Sequence, residues 1–243
     1  MAIAIHAGGA STGTFEARSM LIRGKEIVAD RSGALYWPGE RTLIVADLHL
    51  EKGSAFAVRG QMLPPYDTRE TLSRLGEVIG RYRPRCVVAL GDSFHDRRAD
   101  ERLGSADLRD LAGLQAGREW IWIAGNHDPE IPAKVGGCAR PSLILGDIVL
   151  RHEPAPGAAN GEIAGHLHPA ARVHLGGAGL RRPCFVASQA RVVLPAFGAF
   201  TGGLNVLDDA FVPLFGNEES DFEVHVLGRN GVYPVARSSL GPD

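Results

Sequence analysis

Five short segments of this sequence carry side chains that can bind a divalent metal ion. Four of them hold two or more polar groups directly after an apolar run, and the fifth is one histidine behind such a run. The segments are Asp47-Leu48-His49, Gly91-Asp92-Ser93-Phe94-His95, Gly125-Asn126-His127-Asp128, His152 and Gly165-His166-Leu167-His168. Six of the nine histidines in the chain fall within them. Asp, Asn and His at strand ends can hold a pair of divalent metals, which is a means of attacking phosphate esters.

Each of these segments has an ordinary explanation when it is taken alone. A single Asp-x-His is usually a surface or capping feature, and Gly-Asn-His-Asp suits a turn because Gly and Asn tolerate turn conformations. The joint occurrence of all five in this order predicts a metal site instead. Its carboxylate, amide and imidazole groups suit Mn²⁺, Fe or Zn²⁺, and the lack of thiolate in the segments argues against a structural zinc site.

The spacing of the polar groups supports binding of two ions. Asp47 and His49 are two residues apart, so in an extended segment both side chains lie on one side and can clamp one ion. The carboxylate of Asp92 has two oxygens and can bridge two ions, while Asn126 offers a neutral amide oxygen. Imidazole nitrogens come from His152, His166 and His168.

The composition is that of an ordinary globular protein. The chain has 243 residues, of which 44% are hydrophobic and 22% are charged, and this length can bury a large core. Its net charge of -2 excludes a global basic field for nucleic acid. Bound metal ions would attract a phosphorylated substrate in any case, so the charge does not exclude one.

Cysteine usage and the N-terminus bear on the cellular compartment. The three cysteines, Cys86, Cys138 and Cys184, are far apart and imply no disulfide framework, which favours a reducing environment. The first residues lack the basic and apolar regions of a signal peptide, and no run approaches the roughly 18 apolar residues that a membrane span needs. We therefore expect a cytoplasmic protein without a membrane contact.

Apolar runs in the first half predict strands that deliver the metal-binding segments. Residues 1–24 are rich in small residues and are expected to form a loose extension. Two apolar runs around residues 30–33 predict a β-hairpin. Buried strands that stop at a metal-binding segment are predicted at 43–46, 86–90 and 120–124.

Helices are predicted between these strands. Asp67-Thr68-Arg69-Glu70 resembles a capping box, and an apolar stripe follows it as far as Tyr82, before Pro84 ends the helix. A second helix is predicted at residues 103–114. Strands and helices therefore alternate, which indicates a βαβ series.

The second half predicts short strands separated by Gly and Pro. It begins with a hairpin around Gly146-Asp147, where two apolar runs flank a tight turn. We expect one sandwiched α/β domain over residues 25–243 rather than two separate domains.

The ordered series of segments resembles the calcineurin-like metallophosphoesterase superfamily over residues 43–168. The resemblance implies an α/β fold of that type, a four-layer α-β-β-α sandwich, and two metal ions that share one carboxylate. By this resemblance one ion takes Asp47, His49, Asp92 and His168, and the other takes Asp92, Asn126, His152 and His166.

Three further segments resemble a narrower branch, the bacterial ligase-associated DNA damage response endonucleases. They are residues 50–56 (LEKGSAF), 63–68 (LPPYDT) and 194–203 (LPAFGAFTGG). The branch implies Mn²⁺-dependent cleavage of phosphodiester bonds in DNA, in single-stranded DNA in particular. It also implies a role in DNA repair beside an ATP-dependent DNA ligase, a helicase and an exonuclease.

Three residues beside the implied ligands are candidates for catalysis, with a metal-activated hydroxide attacking phosphorus. His127 follows a ligand but is itself free, so it can protonate the leaving oxygen. Asp128 can accept a hydrogen bond from the His127 ring and fix its tautomer. His95 stands where many superfamily members carry Asp, and it either assists the substrate phosphate and the attacking water or packs behind the ligands.

Positive charges and a glycine-rich segment nearby have open roles. Lys52 and Arg59 follow the first metal-binding segment, and Arg59 is the candidate for binding the substrate phosphate, with a solvated loop charge as the alternative. Residues 198–203 either approach the site or form a structural turn. His6, His174 and His225 match no segment.

Two other functions compete with the nuclease hypothesis. A small-molecule or protein phosphomonoesterase would use the same metal site, so the ligands alone do not discriminate. A scaffold that had lost its metals would show substituted ligands, and none is substituted here. Both a monomer and a homodimer are open, because exposed strand edges in the second half could pair.

Overall fold

Two β-sheets face each other in the computed structural model, which describes residues 17–61, 63–64, 66–175, 178–216 and 222–243. The first sheet follows chain order, from β1 to β7. Its strands are β1 Ala17–Ile22, β2 Lys25–Asp30, β3 Leu35–Trp37, β4 Thr42–Val45, β5 Cys86–Leu90, β6 Glu119–Ile123 and β7 Cys138–Arg140. The hairpin predicted around residues 30–33 is confirmed as β2 and β3.

The second sheet holds the strands that follow in the described ranges. They are β8 Leu143–Leu145, β9 Ile148–Arg151, β10 Glu162–Ala164, β11 Pro169–Leu175, β12 Ala178–Ala187, β13 Arg191–Val193, β14 Leu204–Asn205, β15 Glu223–Leu227, β16 Val232–Val235 and β17 Leu240–Gly241. The main path runs β14-β11-β12-β13-β10-β9-β8, with β15 beside β12, β16 beside β15 and β17 beside β11. The predicted hairpin of β8 and β9 is confirmed.

The helices are mostly short. They are α1 Lys52–Val58, α2 Asp67–Tyr82, α3 Ala99–Arg102, α4 Ser105–Gln115 and α5 Val212–Phe215. The apolar stripe of α2 is buried as predicted, and the helix ends at Tyr82 because Arg83 takes a left-handed conformation just before Pro84. None of the helices in the described ranges has the length and apolar character that crossing a membrane requires.

Parallel pairing aligns the strands that precede the metal-binding segments. In the first sheet β4 pairs in parallel with β5, and β5 pairs in parallel with β6. In the second sheet β9 pairs in parallel with β10. The carboxyl ends of parallel strands lie at one edge of a sheet, so each sheet presents its metal-binding segments together.

The main core lies between the two sheets. Ile44 and Val88 of the first sheet and Leu150 and Phe185 of the second are fully buried in it. The strands β4 and β5 are buried on both faces, as the uninterrupted apolar runs predict for parallel strands.

Two further cores cover the outer faces of the sheets. On the first sheet, Val45 and Val87 pack with Leu75 of α2 and Leu111 of α4. On the second sheet, a cluster forms around Phe215 of α5. The layers therefore run from helices through two sheets to a helix, which confirms the predicted four-layer α-β-β-α sandwich.

The expectation of a loose extension over residues 1–24 is wrong for residues 17–22. They form β1, which pairs along its whole length with β2. Met20 and Ile22 bury their side chains against the core between the sheets, and this burial compensates for the ordering of the segment. Residues 1–16 lie outside the described ranges.

The capping box predicted at the start of α2 is also wrong. Tyr66 occupies the N-cap position and makes no capping hydrogen bond through its side chain. The Asp67 carboxylate instead accepts a hydrogen bond from the backbone N–H of Gly53 at 2.9 Å. The side chain of Thr68 accepts one from the N–H of Glu51 at 2.8 Å. These polar side chains therefore fasten α1 to α2.

Candidate metal centre

The ends of five strands meet where the two sheets face each other. Backbone hydrogen bonds join the loops within the first sheet, from His49 N to Asp92 O at 2.9 Å. A contact between the sheets joins His166 N to the Asp47 carboxylate at 3.0 Å. These contacts gather the seven predicted ligands into one cluster, as their positions at the ends of neighbouring strands predict.

Five of these seven residues have a left-handed backbone conformation that side chains other than glycine rarely adopt. Their φ angles are 53° at Asp47, 44° at His49, 45° at Asp92, 71° at His166 and 46° at His168. Such conformations cost free energy and persist where the surrounding structure enforces them. Their concentration at the strand ends indicates that side-chain direction here is set for function.

The first donor group consists of Asp47, His49 and His168. The Nε2 atom of His168 lies 3.2 Å from Asp47 Oδ1 and 3.4 Å from Nε2 of His49. Asp47 is fully buried, and its Oδ1 atom has no hydrogen-bond partner. A buried carboxylate oxygen without a donor is costly, and a cation held between it and the imidazoles would remove that cost.

The second donor group consists of Asp92, Asn126, His152 and His166. The Nε2 atom of His152 lies 2.8 Å from Asn126 Oδ1, 3.4 Å from Asp92 Oδ1 and 3.1 Å from Nδ1 of His166. The other ring nitrogen of His152 donates to the backbone carbonyl of Leu90 at 2.8 Å, since a carbonyl can only accept. In the neutral ring the lone pair therefore points from Nε2 into the group.

Asp92 faces both donor groups with its two carboxylate oxygens. Oδ1 lies toward His152, and Oδ2 lies 4.0 Å from Nε2 of His49 in the first donor group. Oδ1 also accepts a hydrogen bond from the backbone N–H of His127 at 2.9 Å, which orients the carboxylate. The residues present thus fit a pair of cations that share one carboxylate, because each donor group joins acidic and imidazole donors in a buried position.

Burial keeps the imidazoles of His49 and His166 neutral. It lowers the pKa of His49 to about 2, and the neighbouring His168 lowers it further. It also lowers the pKa of His166, with His152 contributing in the same direction. A neutral ring is the form that binds metal, so this environment favours binding over protonation.

His127 lies beside the donor groups with a free ring nitrogen. Its Nδ1 atom donates to the backbone carbonyl of His95 at 2.7 Å. Its Nε2 atom faces Asp92 Oδ2 at 3.9 Å, and 39% of the side chain is exposed. The ring therefore reaches both the shared carboxylate and solvent, as a group that exchanges protons with a substrate must.

His95 completes a third cluster with His49 and His127. The ligand-type nitrogens of the three rings lie within 4.8 Å of one another. The His95 ring packs against Phe56 at a tilt of 44°, with 5.7 Å between centroids, and burial lowers the pKa of His95 to about 4. The residue is half-buried, so the structure brings it to the centre while leaving its ring partly accessible.

The predicted contact between Asp128 and the His127 ring is wrong. The Asp128 carboxylate accepts hydrogen bonds from the backbone N–H groups of Ser93 at 2.7 Å, Phe94 at 3.1 Å and Gly125 at 3.0 Å. Burial raises the pKa of Asp128 to about 7, against the effect of these donors. Asp128 therefore ties two ligand-bearing loops together, and a backbone carbonyl orients His127 in its place.

Glycines that precede the ligands allow the loops to approach closely. A Cβ atom at Gly91 would lie 2.5 Å from the ring of His152, and Gly91 has a φ of 78°. A Cβ atom at Gly165 would lie 2.6 Å from the Asp47 carboxylate. Side chains at these positions would push ligands out of place, which explains the Gly-Asp and Gly-His pairs in the sequence.

The two basic residues after the first segment lie near the centre. Lys52 donates from Nζ to the backbone carbonyl of Phe200 at 3.0 Å, and its charge contributes to lowering the pKa of His49 and His95. Arg59 is exposed at the end of α1 and also acts on the pKa of His95. Phe200 belongs to the segment 198–203, for which the sequence leaves an approach to the site open, and its exposure and φ of 57° become visible only in the folded chain.

Comparison with known proteins supports these geometric findings. Residues 40–180 match the family described as calcineurin-like phosphoesterase. The crystal structure of Pseudomonas putida nuclease MPE is similar, at 30% identity and a TM-score of 0.69, over 90% of this chain and 100% of that one. Yfce, a phosphoesterase from E. coli, aligns at 14% identity over 80% of this chain and 98% of that one, with a TM-score of 0.40 that is too low to carry an argument. No curated protein matches the sequence.

Proposed function

The chain belongs to the calcineurin-like phosphoesterase family and is a metal-dependent phosphoesterase, and from that premise we propose that it is a DNA endonuclease that cleaves phosphodiester bonds in DNA repair. The single catalytic domain predicted over residues 25–243 also includes β1, which pairs with β2. One observation carries the proposal: two donor groups, each with a buried carboxylate and a buried imidazole, converge on Asp92 beside a partly exposed histidine that is not needed as a ligand.

Seven residues are proposed to hold a pair of divalent cations. They are Asp47, His49, Asp92, Asn126, His152, His166 and His168. When bound, such a pair supplies Lewis acidity that activates water and neutralises charge on the phosphoryl group. The oxygen and imidazole donors suit Mn²⁺, Fe or Zn²⁺, and we propose Mn²⁺ as the native metal because the narrower sequence resemblance implies it.

The chain's own residues have three proposed roles around the scissile phosphate. His127 holds a proton at Nε2 for the leaving oxygen, and the His95 carbonyl keeps the ring in that orientation. The His95 ring lies beside it and is proposed to contact a phosphate oxygen. Arg59 is proposed to bind a more distant phosphate of the strand, since it is exposed and its charge reaches the His95 ring.

DNA as substrate is supported by the likeness to nuclease MPE, which extends over the whole of that chain. Single-stranded DNA, action beside an ATP-dependent ligase, a helicase and an exonuclease, and a cytoplasmic location belong to the same proposal and rest on the narrower sequence resemblance. A homodimer is compatible with it but is not needed, because all proposed ligands come from one chain.

The experiment adds one divalent metal at a time to metal-stripped protein, with single-stranded and duplex plasmid DNA as substrates. Cleavage of single-stranded DNA with Mn²⁺ is expected. Bis-p-nitrophenyl phosphate and p-nitrophenyl phosphate are compared in parallel, because a nuclease must accept a diester.

The variant Asp92→Asn serves as the inactive control, and Asp209→Asn, an exposed carboxylate away from the cluster, serves as the matched active control. Faster hydrolysis of the monoester with no DNA cleavage would support the phosphomonoesterase hypothesis and contradict the proposal.

A further inference from the structure

The loop of residues 198–203 is tied at both ends to the backbone of the first donor group. The backbone N–H of Gly198 donates to the carbonyl of Asp47 at 3.0 Å, and the N–H of Leu204 donates to the carbonyl of His168 at 3.1 Å. Asp47 and His168 both belong to the first donor group. Whatever this loop presents to solvent is therefore held at a fixed distance from the proposed cations.

The loop presents an aromatic ring to solvent. Phe200 is 49% exposed, whereas the other phenylalanines in the described ranges are buried or half-buried. Phe197, three residues earlier, is fully buried in the core beneath α2, so it anchors the loop. The two phenylalanines of one segment thus have opposite positions, and only the first is explained by packing.

The backbone at Phe200 is held in a conformation that it would not adopt freely. Its φ angle is 57°, in the left-handed region, and its carbonyl accepts a hydrogen bond from the Lys52 ammonium at 3.0 Å. Lys52 is close enough to His49 and His95 to affect their pKa values. The Phe200 ring stays half-exposed on a strained backbone, and because strained backbone concentrates at functional sites, its position indicates a function.

The residues that follow Phe200 in the loop border a cavity with basic side chains. Thr201, Gly202 and Gly203 line a cavity together with His168, Arg181 and Arg182. The guanidinium of Arg181 donates to the carbonyl of Gly203 and also pairs with the Asp243 carboxylate at 2.9 Å. A phosphodiester strand that enters the metal centre along this cavity would meet the loop at Thr201, the residue next to Phe200.

We propose that Phe200 is a stacking platform for a base that neighbours the scissile phosphate, and that it selects unpaired nucleic acid. The inference rests on the proposed nuclease function and names the strand form that the site accepts. Aromatic side chains bind unpaired bases through their π faces, and they do so for every base. A base inside a duplex has both faces covered and cannot stack on a fixed exposed ring, so the platform discriminates against duplex substrate.

The test compares Phe200→Leu, which keeps an apolar side chain but removes the π face, with Phe200→Trp, which keeps a π face. Tyr233→Leu removes a comparably exposed aromatic ring from β16 and is the matched control. With the Mn²⁺-loaded protein and a single-stranded oligonucleotide, Phe200→Leu should raise KM by about tenfold and change kcat little. Phe200→Trp and Tyr233→Leu should keep a wild-type KM.

An oligonucleotide with one abasic position, moved along the strand, locates the stacked base. At one position the abasic site should raise the wild-type KM by the same factor and leave the KM of Phe200→Leu unchanged, because the contact is already absent. A wild-type KM for Phe200→Leu would overturn the inference while leaving the nuclease function intact. If the wild-type protein cleaves bis-p-nitrophenyl phosphate but no oligonucleotide, the proposed nuclease function is wrong, and the inference falls with it.

Discussion

The first donor group and the second donor group are held in place in different ways. In the first, all three residues have left-handed backbone, and two buried atoms, Asp47 Oδ1 and His49 Nδ1, have no hydrogen-bond partner. In the second, the His152 ring is fixed by the Leu90 carbonyl and Asp92 by the N–H of His127. Left-handed backbone also occurs at Asp92 and His166 of the second group, so the groups differ mainly in how far hydrogen bonds satisfy their buried ligand atoms.

The two donor groups should therefore respond differently when the metal ions are removed. The buried Asp47 Oδ1 atom has no hydrogen-bond donor, which makes the first donor group costly without a cation, so its geometry depends on the metal. The second donor group has part of its geometry enforced by the protein itself, in the way that outer hydrogen bonds orient metal-binding histidines. Variants that affect one group, both groups or neither will test this difference.

The largest effect is expected from Asp92→Asn, which removes the feature that the two groups share. An amide cannot offer two anionic oxygens, so both groups should lose affinity and phosphodiesterase activity should fall by at least about a thousandfold. Metal content, measured by elemental analysis, should fall below one ion per chain. Retention of two ions would contradict the bridging role of Asp92.

His127→Ala should affect catalysis and neither donor group. Turnover of bis-p-nitrophenyl phosphate should fall by about a hundredfold or more, because the leaving oxygen loses its proton donor. Metal content should stay at the wild-type value, since the backbone N–H that contacts Asp92 is retained. Loss of the metals from this variant would mean that His127 is a ligand or positions one.

A pair of glycine variants should separate the two groups. Gly91→Ala places a methyl group against the His152 ring, and Gly165→Ala places one against the Asp47 carboxylate. Each should weaken metal binding by about tenfold to a hundredfold in its own group. Calorimetric titration of metal-free protein should show the loss in one binding step only. Equal weakening of both steps by both variants would show that the two groups are not independent.

The smallest effect is expected from Asp128→Asn, which leaves every proposed ligand in place. The amide cannot accept all three backbone hydrogen bonds, and the free energy of unfolding should fall by about 1–3 kcal/mol. Urea denaturation of the metal-free protein measures this change. A loss of phosphodiesterase activity in folded, metal-loaded Asp128→Asn protein would indicate a catalytic role for Asp128.

The strands and the sheet edge could be predicted because their signals are local. An apolar run that stops at a polar residue reports a buried strand and its end, as at Val45 and Leu90, and βαβ alternation aligns the ends. The hydrogen-bond partners of individual polar residues could not be predicted in this way. Local spacing predicts that Asp67 belongs to a capping box and that Asp128 contacts the His127 ring, but both carboxylates accept hydrogen bonds from backbone N–H groups of other segments. Sequence spacing contains no information on those distant donors.

The residue types at the strand ends predicted a site for two cations. Carboxylates and imidazoles are metal ligands, and the sequence places them after successive strands. Tertiary structure alone decided how those atoms face one another, which carbonyl orients His127, and that Phe200 is exposed beside the centre while Phe197 is buried. The physical reason is that chemistry belongs to the side chain, whereas direction, burial and strain depend on contacts between segments far apart in the chain.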